Sequence, residues 1–199
     1  MRHGRTAWNA SKRFQGHSDV PLSDEGHAQA RALARVLRGE RFDRAYASDL
    51  KRAIETAETI LSGAAARLEV DARLREFDFG TWEGLTWDEI VERFPSRAHD
   101  VPTDARAYHP DGGESFGDVE ARVASFLAEL EGLPAARVLV ATHAGVLHAA
   151  MSVLAPRLDD DQRALKVVFS PAGITRVTMD EGHARLITVN DVSHLNSVA

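Results

Sequence analysis

The chain has 199 residues, with 24 Lys and Arg against 30 Asp and Glu, nine His and no Cys. That length suits one domain, which buries roughly 70% of its unfolded surface and needs neither disulfides nor a structural metal. The absence of Cys excludes disulfide frameworks, Cys-zinc sites, iron–sulfur clusters and cysteine nucleophiles, and the net charge of −6 argues against broad nucleic-acid binding.

Taken in chain order, the elements alternate. Ser23 can cap a helix running to Gly39, with Ala28, Leu33, Val36 and Leu37 on one face. Arg44 to Ala47 reads as a short strand, after which Ser48 caps a helix through Arg52 to about Leu61. Leu68 to Leu74 reads as extended, and Thr86-x-x-Glu89 is a capping-box pattern opening a short helix that ends near Pro95. Ser115-x-x-Asp118 is a similar signature before the helical run Val119 to Leu130. Arg137 to Thr142 is an apolar strand, followed by a helix from Gly145 to Leu154. Ile174 to Thr178 and Leu186 to Val189 read as two strands joined around Asp180-Glu-Gly182. Strands alternating with helices predict an α/β fold: a three-layer sandwich, with a mostly parallel central sheet covered by helices on both faces. Ligands then bind beyond the carboxyl ends of the strands.

No signal peptide is visible, since the first twenty residues are polar and charged. The apolar run Val138 to Ala155 is interrupted by Thr142, His143, His148 and Ser152, and divides better into a strand and a helix than into a membrane span. The expectation is a soluble, cytoplasmic single domain over 1–199, with residues 75–117 forming a cap over the site.

The motifs narrow the chemistry. There is no Walker loop, no Gly-x-Gly-x-x-Gly and no His-Glu-x-x-His, and His143 and His148 are spaced too far apart for one helical face, which argues against a metal hydrolase. Gly113-Glu-Ser-Phe-Gly117 matches a nucleophile-elbow pattern, but turn residues stand where that motif needs a buried strand, so Ser115 reads better as a helix cap than as a serine-esterase nucleophile. Of the basic residues 21 are Arg, which weakens the meaning of any single one, yet segment 1–13 carries Arg2, Arg5, Lys12 and Arg13 with no acid and could focus a small anion. His143 stands at the carboxyl end of the best buried strand, just before a helix start with free N–H groups. Leu74 to Gly84 places acids among Phe77, Phe79 and Trp82, surroundings that suit a general acid.

Arg2-His3-Gly4-x-Thr6-x-x-Asn9, Arg13-Phe-Gln-Gly16 and Pro21-Leu-Ser-x-x-Gly26 together resemble the opening of the histidine phosphatase (phosphoglycerate mutase-like) superfamily. Ser48-Asp-Leu-Lys-Arg52-Ala resembles its second arginine motif, Leu74-x-Glu76 through Phe79-Gly-x-Trp-Glu-Gly84 its acid segment, Gly113-Glu-Ser115 its substrate-side loop, and Thr142-His143-x-Gly145 its second histidine. Each motif alone is weak, but in this order they span nearly the whole chain.

The resemblance implies a nucleophilic His3, with Arg2, Arg52 and His143 holding a phosphoryl group and Glu76 donating the proton. Asn9, Arg13 and Gln15 would line the pocket, and Gly16 and the backbone near Ala144 would contribute N–H groups. Glu83 competes with Glu76 as the acid and Asp78 is a poorer third. His17 and His27 read as surface residues, while Arg5 and Ala7 depart from the family wording. Such chemistry suits a metal-independent phosphomonoesterase of small phosphorylated metabolites, with no cofactor, no nucleic-acid or membrane partner and room for a homodimer. A cofactor-dependent phosphoglycerate mutase and a non-catalytic phosphate-binding module are the alternatives. The compact length and the 79–84 wording resemble the phosphatase branch more closely. In the family an apolar strand precedes Arg-His-Gly; here only Met1 does, so the reading expects either upstream residues outside the stated sequence or a sheet lacking that strand.

Overall fold

Side-chain alternation along two short strands decides how the layers stack. In β1 (Arg44–Ala47) and β3 (Val138–Ala141), Ala45, Ala47, Leu139 and Ala141 face one way, while Tyr46, Val138 and Val140 face the other. The first face receives α3 (Lys51–Leu61) through Ala53, Ala57 and Leu61, with α2 (Asp24–Val36) packed on α3 in turn. The second receives α5 (Phe116–Glu131) and α6 (Ala144–Leu154), through Val119, Val123, Phe126, Val146 and Ala149. β2 (Leu68–Val70) completes a parallel sheet of order β2-β1-β3. The computed structural model describes residues 1–96, 109–134, 136–180 and 182–197 of this α/β sandwich.

Residues 1–3 join that sheet to an antiparallel pair, β4 (Ile174–Asp180) and β5 (His183–Asp191). On one side the His3 N–H donates to the Thr142 carbonyl at 2.9 Å and the Thr142 N–H to the Met1 carbonyl at 3.0 Å. On the other, the Arg2 N–H donates to the Gly173 carbonyl at 3.2 Å and the Ala172 N–H to the His3 carbonyl at 3.0 Å. Three residues thus occupy a central-strand position, and they deliver His3 to the carboxyl end of β3.

The structure departs from the sequence expectations in several places. Extended chain ends at Val70, and Ala72–Leu74 closes a single 3-10 turn whose Arg73 N–H is accepted by the Asp71 side chain. Ser48 does not cap α3. Its hydroxyl accepts the Leu50 N–H inside the approach turn, and Leu50 takes the cap position with no side-chain bond. The buried face of α2 runs through Gly26, Gln29, Ala30, Leu33 and Leu37, which leaves Val36 49% exposed. α5 begins at Phe116, three residues earlier than the apolar run suggests, because Ser115 and Asp118 form a complete capping box. Residues 97–108 of the expected 75–117 cap, and Glu181 of the expected 180–182 turn, lie outside the described residues.

Ala45, Ala47, Ala53, Ala57 and Ala141 are all at zero exposure, so the sheet and α3 approach as closely as methyl groups allow. Enlarging one of them forces the layers apart. Ala53→Leu is expected to lower the unfolding free energy by about 1–3 kcal/mol, read from the urea midpoint at unchanged slope.

Candidate active site

Two imidazoles meet where β3 ends. His3 is 1% exposed and His143 is at zero exposure, with ring centroids 5.0 Å apart. Their bonds decide where each proton sits. The Nδ1 of His3 lies 2.7 Å from the Gly4 carbonyl, which can only accept, so Nδ1 carries the proton and Nε2 keeps a lone pair. The Nδ1 of His143 accepts the Arg52 Nε–H at 3.2 Å, so its proton lies on Nε2. That Nε2–H is buried and meets no partner among the described residues. The pair therefore combines one nitrogen with an open lone pair and one N–H that no described residue uses.

Arg52 is fully buried, and among the described residues its guanidinium bonds no carboxylate side chain. The acids that an ordinary surface Arg would have sought are used elsewhere: Asp49 pairs with Arg75 at 2.6 Å, and Glu55 accepts the Leu22 N–H. Arg52 instead donates to the carbonyls of Ser18 at 2.8 Å and Gly16 at 2.7 Å. With the bond to His143, three of the guanidinium's five N–H groups are used, and two remain for a ligand. Burial brings its pKa down to about 10, so it stays charged at neutral pH. Arg2 donates through Nη1 to the Phe169 carbonyl at 2.6 Å, while its Nε is buried with no partner among the described residues. Burial, then the charges of Arg52 and Arg2, hold His3 well below the usual imidazole value of 6.5. Burial and Arg52 do the same to His143. Both rings are neutral at physiological pH.

The three candidate acids separate by what their oxygens already hold. Glu83 accepts the N–H groups of His17 and Ser18 and the Ser18 hydroxyl, which ties the 16–18 turn and leaves it little else to do. Asp78 accepts the Gly80 N–H. Glu76 is 8% exposed and takes N–H bonds from Phe77 at 3.0 Å and Gly145 at 2.9 Å, both on Oε1, so Oε2 is left to face the pocket. It shares that pocket, of about 270 Å³, with Arg2, Asn9, Gln15 and the aromatic rings of Trp8 and Phe79. A larger depression of about 630 Å³ adjoins it across Arg2 and Asn9, but contains no acid.

Most of the expected residues converge here; several take unexpected parts. Asn9 and Gln15 are tied together by Thr6, whose hydroxyl bonds both side chains while it caps the short helix α1 (Ala7–Ala10). Arg13 reaches the pocket wall, but its guanidinium turns to Glu89 at 2.6 Å and the Gly84 carbonyl, fixing the start of α4 (Trp87–Arg93). Gly16 presents its carbonyl to Arg52, and Ala144 opens α6. His17 is no surface residue: it is half-buried, with Nε2 3.0 Å from the Glu76 carbonyl. Glu114 faces Arg122 at 2.8 Å, and Ser115 is the half-buried helix cap that the missing strand implied. Thr6 stood in the opening motif without a role, and Thr56 carried no assignment. Thr56 accepts the Gly4 N–H and donates to the Arg52 carbonyl, joining the two motifs. The Thr6-x-x-Asn9 spacing was the one available signal for the former. Among the described residues, no group of three His, Asp or Glu side chains could hold a metal ion, and no helix is long and apolar enough to cross a membrane.

The profile of the Histidine phosphatase superfamily (branch 1) matches residues 1–192. The phosphoglycerate mutase-like protein 4 of Arabidopsis thaliana is 33% identical, over 98% of this chain and 85% of its own. Among solved structures, YhfR of Bacillus stearothermophilus superposes with a TM-score of 0.86 at 32% identity, covering 98% of this chain and 96% of its own. A mycobacterial glucosyl-3-phosphoglycerate phosphatase, solved in complex with VO3, superposes with a TM-score of 0.82 at 33% identity, covering 95% and 96%.

Two outcomes test this geometry. A Cβ on Gly145 would overlap Glu76 Oε1 and crowd Phe77, so Gly145→Ala is expected to keep the fold and cut turnover by about tenfold or more. The neutral imidazoles also bear on stability. Unfolding lets both protonate near 6.5, so their contribution is complete above that pH and is lost as pH falls below it. The melting temperature should fall from pH 7 to pH 5, and His143→Asn should flatten that slope.

Proposed function

The chain belongs to the histidine phosphatase superfamily, branch 1, and on that premise we propose that it is a phosphomonoesterase of small phosphorylated metabolites, working through a phosphohistidine at His3. The observation that carries this reading is the pair of opposite tautomers. The His3 Nε2 lone pair lies beside a His143 Nε2–H that no described residue uses, with two guanidiniums around them.

The steps follow from the residues present. The His3 nitrogen attacks phosphorus as the bond to the ester oxygen breaks, and spare N–H groups of Arg2, Arg52 and His143 take the charge spread over the equatorial oxygens. Glu76, in its acid form, gives its proton to the departing alkoxide. A water then attacks the phosphohistidine, Glu76 takes its proton, and phosphate leaves with His3 neutral again. Cationic side chains supply the stabilisation a metal ion gives in other phosphoryl-transfer sites, so no metal is required by this route. Arginine suits the task because its planar fork matches two oxygens at once.

The similarity to a glucosyl-3-phosphoglycerate phosphatase over 95% of the chain supports hydrolysis, and product analysis separates it from mutase chemistry. The test is a panel of p-nitrophenyl phosphate, phosphoglycerates, sugar phosphates and phosphoserine, run on the wild type and His3→Ala together. Phosphate release by the wild type and an acid-labile phosphoenzyme are expected, both lost in His3→Ala by a factor of about 10³ or more. Interconversion of 2- and 3-phosphoglycerate without phosphate release would make the chain a mutase. Phosphate binding without turnover would make it a binding module.

A further inference from the structure

Glu76 sits in a stretch with little regular structure of its own. The 3-10 turn at Ala72–Leu74 ends just before it, and the next, at Gly80–Trp82, begins four residues after it. Among the contacts that hold the backbone between them is an ion pair that joins α5 to the loop just before it. Arg122, on the second turn of that helix, has a side chain only 16% exposed. Its Nε donates to Glu114 Oε1 at 2.8 Å and its Nη2 to Glu114 Oε2 at 2.9 Å, a bidentate fork. Two further donors go to main chain: Nη1 to the Arg73 carbonyl at 2.6 Å, and Nη2 to the Glu76 carbonyl at 3.0 Å. Glu114 completes the grip. Its Oε2 accepts the Asp78 N–H at 3.0 Å, and its own N–H donates to the Asp78 carbonyl at 3.0 Å. The Glu76 carbonyl has a second donor in His17 Nε2.

We infer that Arg122 and Glu114 form a positioning pair for the proton donor, fixing the backbone at residues 73, 76 and 78 so that the Glu76 carboxyl meets the leaving-group oxygen. This rests on the reading of Glu76 as the acid. Neither residue touches the pocket; both act through the main chain that carries Glu76. The pair is well built for that purpose, because a bidentate fork fixes orientation as well as distance, and its partial burial limits competition from water. General acid catalysis is sensitive to such placement, since a displacement of about 1 Å can cost two orders of magnitude.

Leaving-group chemistry separates this role from simple structural support. p-Nitrophenolate departs without a proton, whereas a glycerol alkoxide needs one. Arg122→Ala should therefore lower kcat/KM for glycerol 2-phosphate about 30-fold or more, and that for p-nitrophenyl phosphate by less than about threefold. Glu76→Gln, the reference, should show the same selectivity at larger amplitude. Arg122→Ala placed in the Glu76→Gln background should add less than about threefold on either ester, since both changes remove one function. Arg122→Lys and Glu114→Gln, which keep most of the packing, should give smaller losses of the same selective kind, and they decide the matter if Arg122→Ala does not fold. Equal slowing of both esters in the Arg122 and Glu114 variants, beside a selective Glu76→Gln, would overturn the positioning role alone. A Glu76→Gln that slows both esters alike, or a wild type that cleaves neither, would overturn the underlying reading and this inference with it.

Discussion

A guanidinium withdrawn from water without a carboxylate of its own is the constraint on which this site depends. An unpaired buried charge is costly, and proteins tolerate it only where hydrogen bonds replace the lost hydration. Arg52 meets that condition with two backbone carbonyls, from Gly16 and Ser18, and one imidazole nitrogen. Carbonyls solvate the cation but do not neutralise it. The positive potential therefore persists, where a direct Arg–carboxylate pair would have spent it. Burial first, and this potential after it, keep the neighbouring imidazoles neutral.

Keeping those carbonyls in place requires the 16–18 turn to be rigid, and Glu83 makes it so with three bonds from one carboxylate. Glu83 is thus an acid of the site by position and a scaffold by function, and it contributes negative potential near Arg52 at second hand. Thr56 closes the circuit by linking the Arg52 carbonyl to the Gly4 N–H, one residue from the His3 ring. The layer of buried alanines behind α3 serves the same end. With methyl groups at the contact there are few rotamers to exchange, so the helix that carries Arg52 has little freedom relative to the strands.

The order of motifs and the strand-helix alternation were legible in the sequence, because both are local in the chain: a polar His-containing turn after an apolar strand, a cap before a helix. The residues around His3, Arg52, Glu76 and His143 could be picked out on that ground. What could not be read were commitments between distant segments. Arg13 looked like an anion ligand beside the pocket, but Glu89, on a helix more than seventy residues away in sequence, holds its guanidinium. His17 looked exposed until the Glu76 carbonyl was found beside it. Val36 fits an apolar face by composition, yet the packing surface of α2 is set by where α3 and the β4 edge lie, and Leu37 reaches them instead. Arg122 carried no signal at all in a chain with 21 arginines. Periodicity reports which residues share a face; it does not report which donor a third element has already claimed.

The four residues Thr142 to Gly145 show how the parts are kept in register. Thr142 pairs with the backbone of residues 1 and 3, and its hydroxyl donates to the Leu74 carbonyl at 2.8 Å. It thereby ties the chain that brings His3 to the chain that brings Glu76. His143 contributes its ring to Arg52, and Gly145 gives its N–H to the Glu76 carboxylate, a contact that any larger residue would displace. A single turn, where a buried strand becomes a helix, thus touches all three catalytic candidates from different segments. Moving any one of them by a few tenths of an ångström would strain a short peptide whose ends are fixed in the sheet and in α6. The covalent chain itself supplies the common reference for this geometry, and the buried hydrogen bonds transmit it to each side chain.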